Sequence, residues 1–253
     1  MRSSVRALAS GLTAAAALAV AGIVWAMTVQ PVAVDLTMTG RGMSAPVRVE
    51  NDGPNPLPVE VRIVETDFDL NSVRASDRVS DDILVFPPQA IIAPGETQVF
   101  RLQYVGDPGS ERSRHYYAEV SQLPIELPEG QSAIQILYNF QVMVNVASAT
   151  GGQAQLSVSS GEIATDGEGR PVAAFTVENA GLNYGYLSRS ELTIRHLDPS
   201  GRELMRRTLA PNDIQQLIGF GLVGPQMSRR FVSPIQLESS EGSVEVSLSQ
   251  RGR

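Results

Sequence analysis

The sequence predicts an all-β protein made of two β-sandwich domains. Short segments in which apolar and polar residues alternate recur along the chain, and clusters of turn-forming residues separate them. No segment of the first half shows the 3.6-residue periodicity of an amphipathic helix. Alternation with period two places every second side chain on one face of a strand, so each segment can bury one face in a sandwich core.

Seven strands are predicted in the first half of the chain, which favours an immunoglobulin-like sandwich. A turn is predicted at residues 52–56, and the polar segment 69–82 is predicted to connect two strands without being a strand itself. The predicted strands are 29–36, 45–51, 59–65, 83–86, 97–105, 115–123 and 134–146.

The small residues of segment 147–152 predict a flexible linker to a second all-β domain. In this domain, residues 198–201 predict a hairpin turn, and residues 214–220 fit either a helical turn or a strand. Its predicted strands are 154–160, 172–179, 191–197, 229–237 and 243–250. The predicted division of the chain is a signal peptide at 1–26, an N-terminal domain at 27–147, a linker at 148–152 and a C-terminal domain at 153–253.

Residues 1–26 predict an exported protein. Arg2 and Arg6 precede an Ala-, Leu- and Val-rich run, and residues 24–26 resemble a small-residue cleavage site. The alternative is an uncleaved N-terminal anchor. After cleavage the mature chain is expected to be soluble, without membrane insertion, and loss of the two arginines changes its formal net charge from −7 to −9. This charge argues against nucleic acid as a partner.

The sequence contains no motif that predicts catalysis. Residues 219–224 match G-x-G-x-x-G, but Pro225 and a strand-like segment follow where a dinucleotide site needs a helix. His115 and His196 are the only histidines, they fall in different predicted domains, and no ligand spacing surrounds them. The chain has no cysteine, which excludes disulfides and thiolate ligands. The sequence thus predicts no enzyme, no cofactor and no metal.

The last predicted strand of the first domain is unusually long. Apolar residues occupy every second position from Ile134 to Val146, whereas strands usually run about 5–6 residues. Two interpretations are open: a long edge strand packed inside its own domain, or a strand of which part serves another chain. An exposed apolar edge promotes aggregation unless a partner covers it, and the alternation alone leaves both interpretations open.

Segment 87–102, PPQAIIAPGETQVFRL, resembles the motif of periplasmic pilus-assembly chaperones of the chaperone–usher pathway. The first two predicted strands and segment 115–124 are similar to the corresponding segments of this family, in the same order. In the second half, segments 177–194 and 219–231 are similar to the second domain of the archaic branch, which includes spore-coat-like pili. The resemblance spans essentially the whole mature chain.

This resemblance implies a periplasmic chaperone whose two domains form a boomerang. It implies two kinds of partner: incomplete-sandwich pilus or fibre subunits, to which the chaperone lends a strand by donor-strand complementation, and an outer-membrane usher that receives the loaded complex. Residues 142–146 are expected to stay in the core of the chaperone itself. The donor residues that the resemblance implies are Ile134, Ile136, Tyr138 and Phe140.

The chain departs from the best-known members of the family where they anchor the terminal carboxylate of the subunit. Alignment with their Lys and Arg places Met143 and Asp35 at these positions. Because the chain has no Lys, a cationic anchor must be an Arg, and Arg101 and Arg114 are the candidates. The departures favour the archaic branch, or a chaperone whose anchor has moved.

The alternative function is a two-domain structural or adhesive surface protein, whose sandwiches bind a ligand or polymerise. Trp25 is the only tryptophan and lies in the predicted signal peptide, so the mature chain lacks a residue that often forms sugar-binding surfaces. This argues against carbohydrate binding. An adjacent gene for an usher would decide between the two functions.

Overall fold

The computed structural model describes residues 27–124 and 136–250; the predicted signal peptide and Ile134 lie outside the described residues. Two separate buried cores organise the chain, one built from residues 27–146 and the other from residues 173–244. The fold is almost entirely β, as the sequence predicts. Within the described residues no helix has the length and apolar character needed to cross a membrane.

Ten strands lie in the described part of the first domain: β1 Met27–Gln30, β2 Ala33–Thr37, β3 Ser44–Asn51, β4 Leu57–Phe68, β5 Val73–Val79, β6 Ile83–Phe86, β7 Gln89–Ile92, β8 Thr97–Tyr104, β9 Arg114–Gln122 and β10 Asn139–Ala147. One sheet has the strand order β1–β3–β8–β6. The other has the order β2–β10–β9–β4–β5, with β7 also paired to β4. A short 3-10 turn, Gly40–Met43, lies between β2 and β3.

Alternating side chains from both sheets build the first core. In β8, Phe100 and Leu102 are buried, whereas Arg101 between them is exposed. Val142 and Val144 of β10 enter the same core from the other sheet. Burial of one apolar side chain of this size stabilises the fold by about 1.5–3 kcal/mol, so a cysteine-free sandwich can be held by burial alone.

The segment predicted as one strand, 29–36, is two strands that belong to different sheets. β1 pairs antiparallel with β3, whereas β2 pairs parallel with β10. Pro31 lies between them and lacks the N–H that a ladder requires, so the chain leaves one sheet and enters the other there. The prediction of one strand was wrong because apolar residues occur on both sides of the crossing.

The prediction that segment 69–82 only connects two strands was wrong. It contains β5, which forms an antiparallel hairpin with β4 at the edge of the sheet. Ser76 is the one buried residue of β5, and Arg78 forms ion pairs with Glu65 and Asp67 of β4 at 2.6 and 2.7 Å. A strand held by its backbone ladder and by surface ion pairs has no apolar alternation, which hid it from the sequence pattern.

Eight strands and one α-helix form the second domain: β11 Leu156–Thr165, β12 Pro171–Asn179, β13 Gly185–Tyr186, β14 Ser190–Leu197, β15 Glu203–Leu209, α1 Pro211–Leu217, β16 Leu222–Val223, β17 Ser228–Gln236 and β18 Ser243–Gln250. Its sheets have the orders β11–β12–β17, β15–β14–β18 and β13–β16. The predicted hairpin turn at 198–201 joins β14 to β15, with Gly201 at a φ of +85°. β13, β15 and β16 add to the five strands that the sequence predicts.

The segment left open by the sequence, 214–220, begins as helix α1. The carboxylate of Asp213 accepts the N–H of Ala210 at the start of this helix (3.1 Å). Gly219 and Gly221 follow with φ of +86° and +65°, a conformation that favours glycine. β16 comes next instead of a helix, so the G-x-G-x-x-G segment is a turn without the helix N-terminus that a dinucleotide site requires.

Candidate functional site

Of the predicted donor residues, Phe140 lies in β10, whereas Ile136 and Tyr138 directly precede this strand. The two edges of β10 are paired over different lengths. β9 pairs with it antiparallel from Asn139 to Val146. On the other edge, β2 pairs parallel with residues 143–147. A hydrogen bond from the N–H of Met143 to the carbonyl of Val32 (3.1 Å) marks the start of this second pairing. β2 therefore covers only the C-terminal half of β10.

The N-terminal half of β10 has an open edge. The N–H of Gln122 in β9 donates to the carbonyl of Tyr138 (2.9 Å), so the backbone groups of residues 138, 140 and 142 face β9. The backbone groups of Asn139 and Gln141 face the opposite way, and within residues 27–124 and 136–250 no strand pairs with them there. A row of such N–H and C=O groups is a template for an added strand.

The apolar face of β10 passes from the core to the surface along the chain. Val142 and Val144 are at most 1% exposed and belong to the first core. Tyr138 and Phe140 are half-buried and pack against that core, whereas Ile136 is 71% exposed. Three predicted donor residues therefore lie in sequence at the start of β10 or just before it, and Ile136 is the most exposed of them.

Arg101 and Arg114, the candidate anchors, lie in different sheets. Arg101 is on the outer face of the four-stranded sheet, where its Nε donates to Ser44 Oγ (2.7 Å). Arg114 begins β9 opposite Val146, at the end of the other sheet that adjoins the second domain. It borders a cleft of about 540 Å³ between the two domains. Of the two arginines, Arg114 is therefore the one in the sheet that contains β10.

Asp35 and Met143 occupy the positions at which the best-known family members have their cationic anchors, and neither side chain is cationic. Asp35 accepts hydrogen bonds from the hydroxyl of Tyr186 and from Nη2 of Arg189, both at 2.6 Å and both from the second domain. Met143 lies opposite Tyr117 of β9. A carboxylate and a thioether do not attract another carboxylate. Neither position therefore offers a cationic anchor, and Asp35 instead joins the two domains.

His115 and Asn145 form a polar pair that the sequence pattern did not reveal. His115 Nδ1 lies 2.6 Å from Asn145 Oδ1, and its Nε2 lies 3.2 Å from Ser113 Oγ. The rings of Phe68 and Tyr184 pack edge-on against the imidazole, with centroids 5.0 and 5.5 Å away. Burial lowers the pKa of His115 to about 4, so the imidazole is neutral at neutral pH. The one sequence signal is Asn145 itself, a polar residue between two valines.

His196, the second histidine, is a buried residue of β14 whose Nε2 lies 3.0 Å from the carbonyl oxygen of Glu241. It is far along the chain from His115 and serves the interior of the second domain. In the part of the chain that the structure describes, no three His, Cys, Asp or Glu side chains are grouped so that they could hold a metal ion.

Residues 27–146 match the family described as "Pili and flagellar-assembly chaperone, PapD N-terminal domain". The match covers both sheets of the first domain and β10 as far as Val146. By class, the first domain is thus the N-terminal domain of an assembly chaperone. Residues 27–146 belong to this family, which confirms the resemblance to pilus-assembly chaperones; the family is one of chaperones and not of enzymes. No curated protein sequence matches the chain.

Solved structures extend the likeness in fold over most of the chain. A chain from the complex of the Salmonella enterica SafA pilin with the SafB chaperone has a TM-score of 0.52 and 13% identity, with 89% of this chain and 96% of that chain covered. The YadV chaperone has a TM-score of 0.52 and 16% identity, with 87% and 90% covered. A chain from the chaperone–tip adhesin complex of CFA/I fimbriae biogenesis has a TM-score of 0.51 and 14% identity, with 90% and 93% covered. Membership of the archaic branch stays a prediction.

Proposed function

We propose that the protein is a periplasmic chaperone of the chaperone–usher pathway that completes pilus or fibre subunits with β10. The observation that carries this proposal is the open edge of β10 over residues 139–142, next to the exposed side chain of Ile136. A subunit that lacks its last strand pairs its backbone with this edge, while alternate side chains of the chaperone fill its groove. The family of residues 27–146 supports an assembly role, and the solved complexes of similar fold contain a pilin and a tip adhesin.

Donation from β10 supplies both hydrogen bonds and apolar burial. The backbone groups of Asn139 and Gln141 are available to an added strand, and each hydrogen bond contributes about 0.5–1.5 kcal/mol net. Burial of Ile136 in the subunit adds about 1.5–3 kcal/mol. Tyr138 and Phe140 are already half-buried, so each adds less new burial than Ile136. Ile134 completes the proposed donor set.

The loaded chaperone then delivers its subunit to an outer-membrane usher, where the subunit exchanges the lent strand for one that fits better. Strand exchange replaces one set of hydrogen bonds and apolar contacts with another, so it requires no nucleotide, cofactor or metal. Cleavage of a signal peptide at residues 1–26 accounts for a periplasmic location.

Arg114 is the better of the two candidate anchors for the terminal carboxylate of a subunit. It borders the interdomain cleft together with Arg112, and Phe68 and Met227 line the same cleft. A guanidinium group grips a carboxylate with two parallel hydrogen bonds, and partial exclusion of water in a cleft strengthens that pair. Arg101, the second candidate, lies on the opposite sheet and already donates to a serine hydroxyl.

The substitution Ile136→Asp tests the proposal. It introduces a carboxylate where the subunit groove has to exclude water, and burial of an unpaired charge is costly. We expect loss of subunit capture, measured by co-purification of a co-expressed subunit from the periplasm, and degradation of that subunit in the cell. The melting temperature of the chaperone should stay unchanged because Ile136 is exposed in the free protein.

Val144→Asp is the matched control, since it places the same carboxylate at a residue of β10 that is 0% exposed. We expect this substitution to unfold the chaperone. If Ile136→Asp also unfolds the chaperone, Ile136 belongs to its own core and the donor assignment fails. A folded Ile136→Asp chaperone that still captures subunits at the normal level contradicts the proposed role of this edge.

A further inference from the structure

A continuous chain of hydrogen bonds connects the two domains beside β10. The N–H of Tyr184 donates to Ser113 Oγ (3.0 Å), and Ser113 Oγ lies 3.2 Å from His115 Nε2. On the other side of the imidazole, Nδ1 lies 2.6 Å from Asn145 Oδ1. The residues of this chain are named here the interdomain relay: Tyr184, Ser113, His115, Asn145, Tyr186, Asp35 and Arg189.

The second half of the interdomain relay passes through Tyr186. Asn145 Nδ2 donates to the hydroxyl of Tyr186, which in turn donates to Asp35 Oδ1, both at 2.6 Å. Arg189 donates to Asp35 Oδ2 (2.6 Å), and its guanidinium carbon lies 4.6 Å from the centre of the Tyr186 ring. Tyr184, Tyr186 and Arg189 belong to the second domain and the other members to the first. The relay therefore crosses between the domains at four hydrogen bonds.

Donors and acceptors follow one another consistently along the interdomain relay. Asn145 uses its amide N–H to reach Tyr186, so its oxygen accepts, which places the proton of His115 on Nδ1. His115 Nε2 is then an acceptor for the hydroxyl of Ser113, whose oxygen accepts the N–H of Tyr184. With a neutral imidazole, each hydrogen bond of the relay pairs one donor with one acceptor.

Asn145 lies at the centre of the interdomain relay and is 0% exposed. Loss of a hydrogen-bond partner is costly for a buried amide, so the second domain has to present the hydroxyl of Tyr186 at this one place. Rotation or sliding of the second domain breaks the short bonds on both sides of that hydroxyl. The interface accordingly favours one relative orientation of the two domains.

We propose that Asn145 and Tyr186 are positioning residues that hold the second domain in one orientation against β10. Asn145 is part of β10 itself and follows the open edge, which ends at Val142, by three residues. β10 thus contains both the open edge and Asn145, the centre of the relay. The orientation of the second domain determines which surface a subunit bound at that edge contacts. The consequence for subunits rests on the proposed chaperone function, whereas the orientation of the domains does not.

Tyr186→Phe tests the proposal, because it removes the central hydroxyl and keeps the ring. The chain has no cysteine, so spin labels can be attached to Arg48→Cys in β3 and Arg207→Cys in β15, two exposed positions. We expect the distribution of label-to-label distances, measured by double electron–electron resonance, to become wider in the full chain carrying Tyr186→Phe. We also expect its affinity for a purified subunit to fall about fivefold or more, the usual lower end of coupling between sites.

Tyr104→Phe is the matched control, because it removes another buried tyrosine hydroxyl, one that donates to the carbonyl of Asp107 (3.0 Å) within the first domain. It should leave the interdomain distances unchanged. Arg189→Gln removes the guanidinium group at the exposed end of the relay, and we expect it to widen the distribution of label-to-label distances as well. This variant tests the proposal even if Tyr186→Phe does not fold.

Unchanged distances in the folded Tyr186→Phe and Arg189→Gln chains would overturn the proposal. Wider distances with unchanged subunit affinity would overturn the positioning role for subunits. Failure of the chaperone function itself is a separate outcome, since the unsubstituted chain, whose relay is intact, would then capture no subunit.

Discussion

Acidification should destabilise the folded chain through His115. Phe68 and Tyr184 enclose its imidazole, and its Nδ1 proton is directed at Asn145. Burial lowers its pKa from the ordinary 6.5 to about 4. Between these two pKa values the unfolded chain binds a proton that the folded chain does not bind, so the free energy of unfolding decreases as the pH falls through this window. Below pH 4 the loss is complete.

The two pKa values set the size of this effect. Their difference corresponds to about 3 kcal/mol of stability, lost in full below the lower pKa. Between pH 7 and pH 5 the same linkage gives a loss of about 2 kcal/mol. The shift in this pKa comes from burial, which the hydrogen bond to Asn145 partly opposes. The charged groups that line the cleft beside the imidazole are Arg112, Arg114, Glu65 and Glu111.

Urea unfolding at pH 7 and pH 5 measures the effect, with His115→Gln as the comparison because Gln does not titrate. Between these two pH values we expect the free energy of unfolding to fall by about 2 kcal/mol more in the unsubstituted chain than in His115→Gln. His115→Gln alters the interdomain relay equally at both pH values. The resulting change in the free energy of unfolding is therefore the same at both and cancels in the comparison. Parallel pH dependence of the two chains would refute the burial of a neutral imidazole at this position.

Two further predictions concern the candidate anchor and export. Arg114→Gln should leave folding intact and weaken subunit binding about tenfold, which is roughly 1.4 kcal/mol, in isothermal titration calorimetry. Arg101→Gln is the comparison on the other sheet; if neither substitution weakens binding, the carboxylate is held elsewhere. If residues 1–26 are cleaved, osmotic shock should release the mature protein, whereas recovery in the membrane fraction at precursor mass contradicts cleavage.

Strands that bury one face were predictable from the sequence. β3, β8 and β18 differ from the predicted segments by no more than one residue at either end, and β8 shows why: from Phe100 to Tyr104 every second side chain is buried. β5 and β7 were not predicted as strands, because each buries a single side chain, Ser76 and Ile92. These two strands form because their backbones pair with β4, and backbone pairing does not require an alternation of apolar side chains.

The candidate site was predictable only in part. The alternating run predicted one strand over residues 134–146, but strand β10 begins at Asn139, so the prediction was wrong for residues 136–138. The pattern also does not tell where β2 stops pairing with β10. Local sequence patterns could not predict the interdomain relay, because its residues come together only when the two domains pack. Tyr186 and Asp35, for example, are 151 residues apart in the sequence. Which side chains contact a subunit, and which arginine meets its carboxylate, stay predictions.

β2 limits how far any added strand can pair along the edge of β10. From Met143 onward the edge of β10 is already occupied, so an incoming strand can advance along residues 139–142 and then meets Val32. There it has to finish or turn away from the sheet. A slip of one residue would exchange the two faces of that strand and expose its apolar side chains. Val32 therefore marks the furthest point that a strand paired with residues 139–142 can reach along this edge.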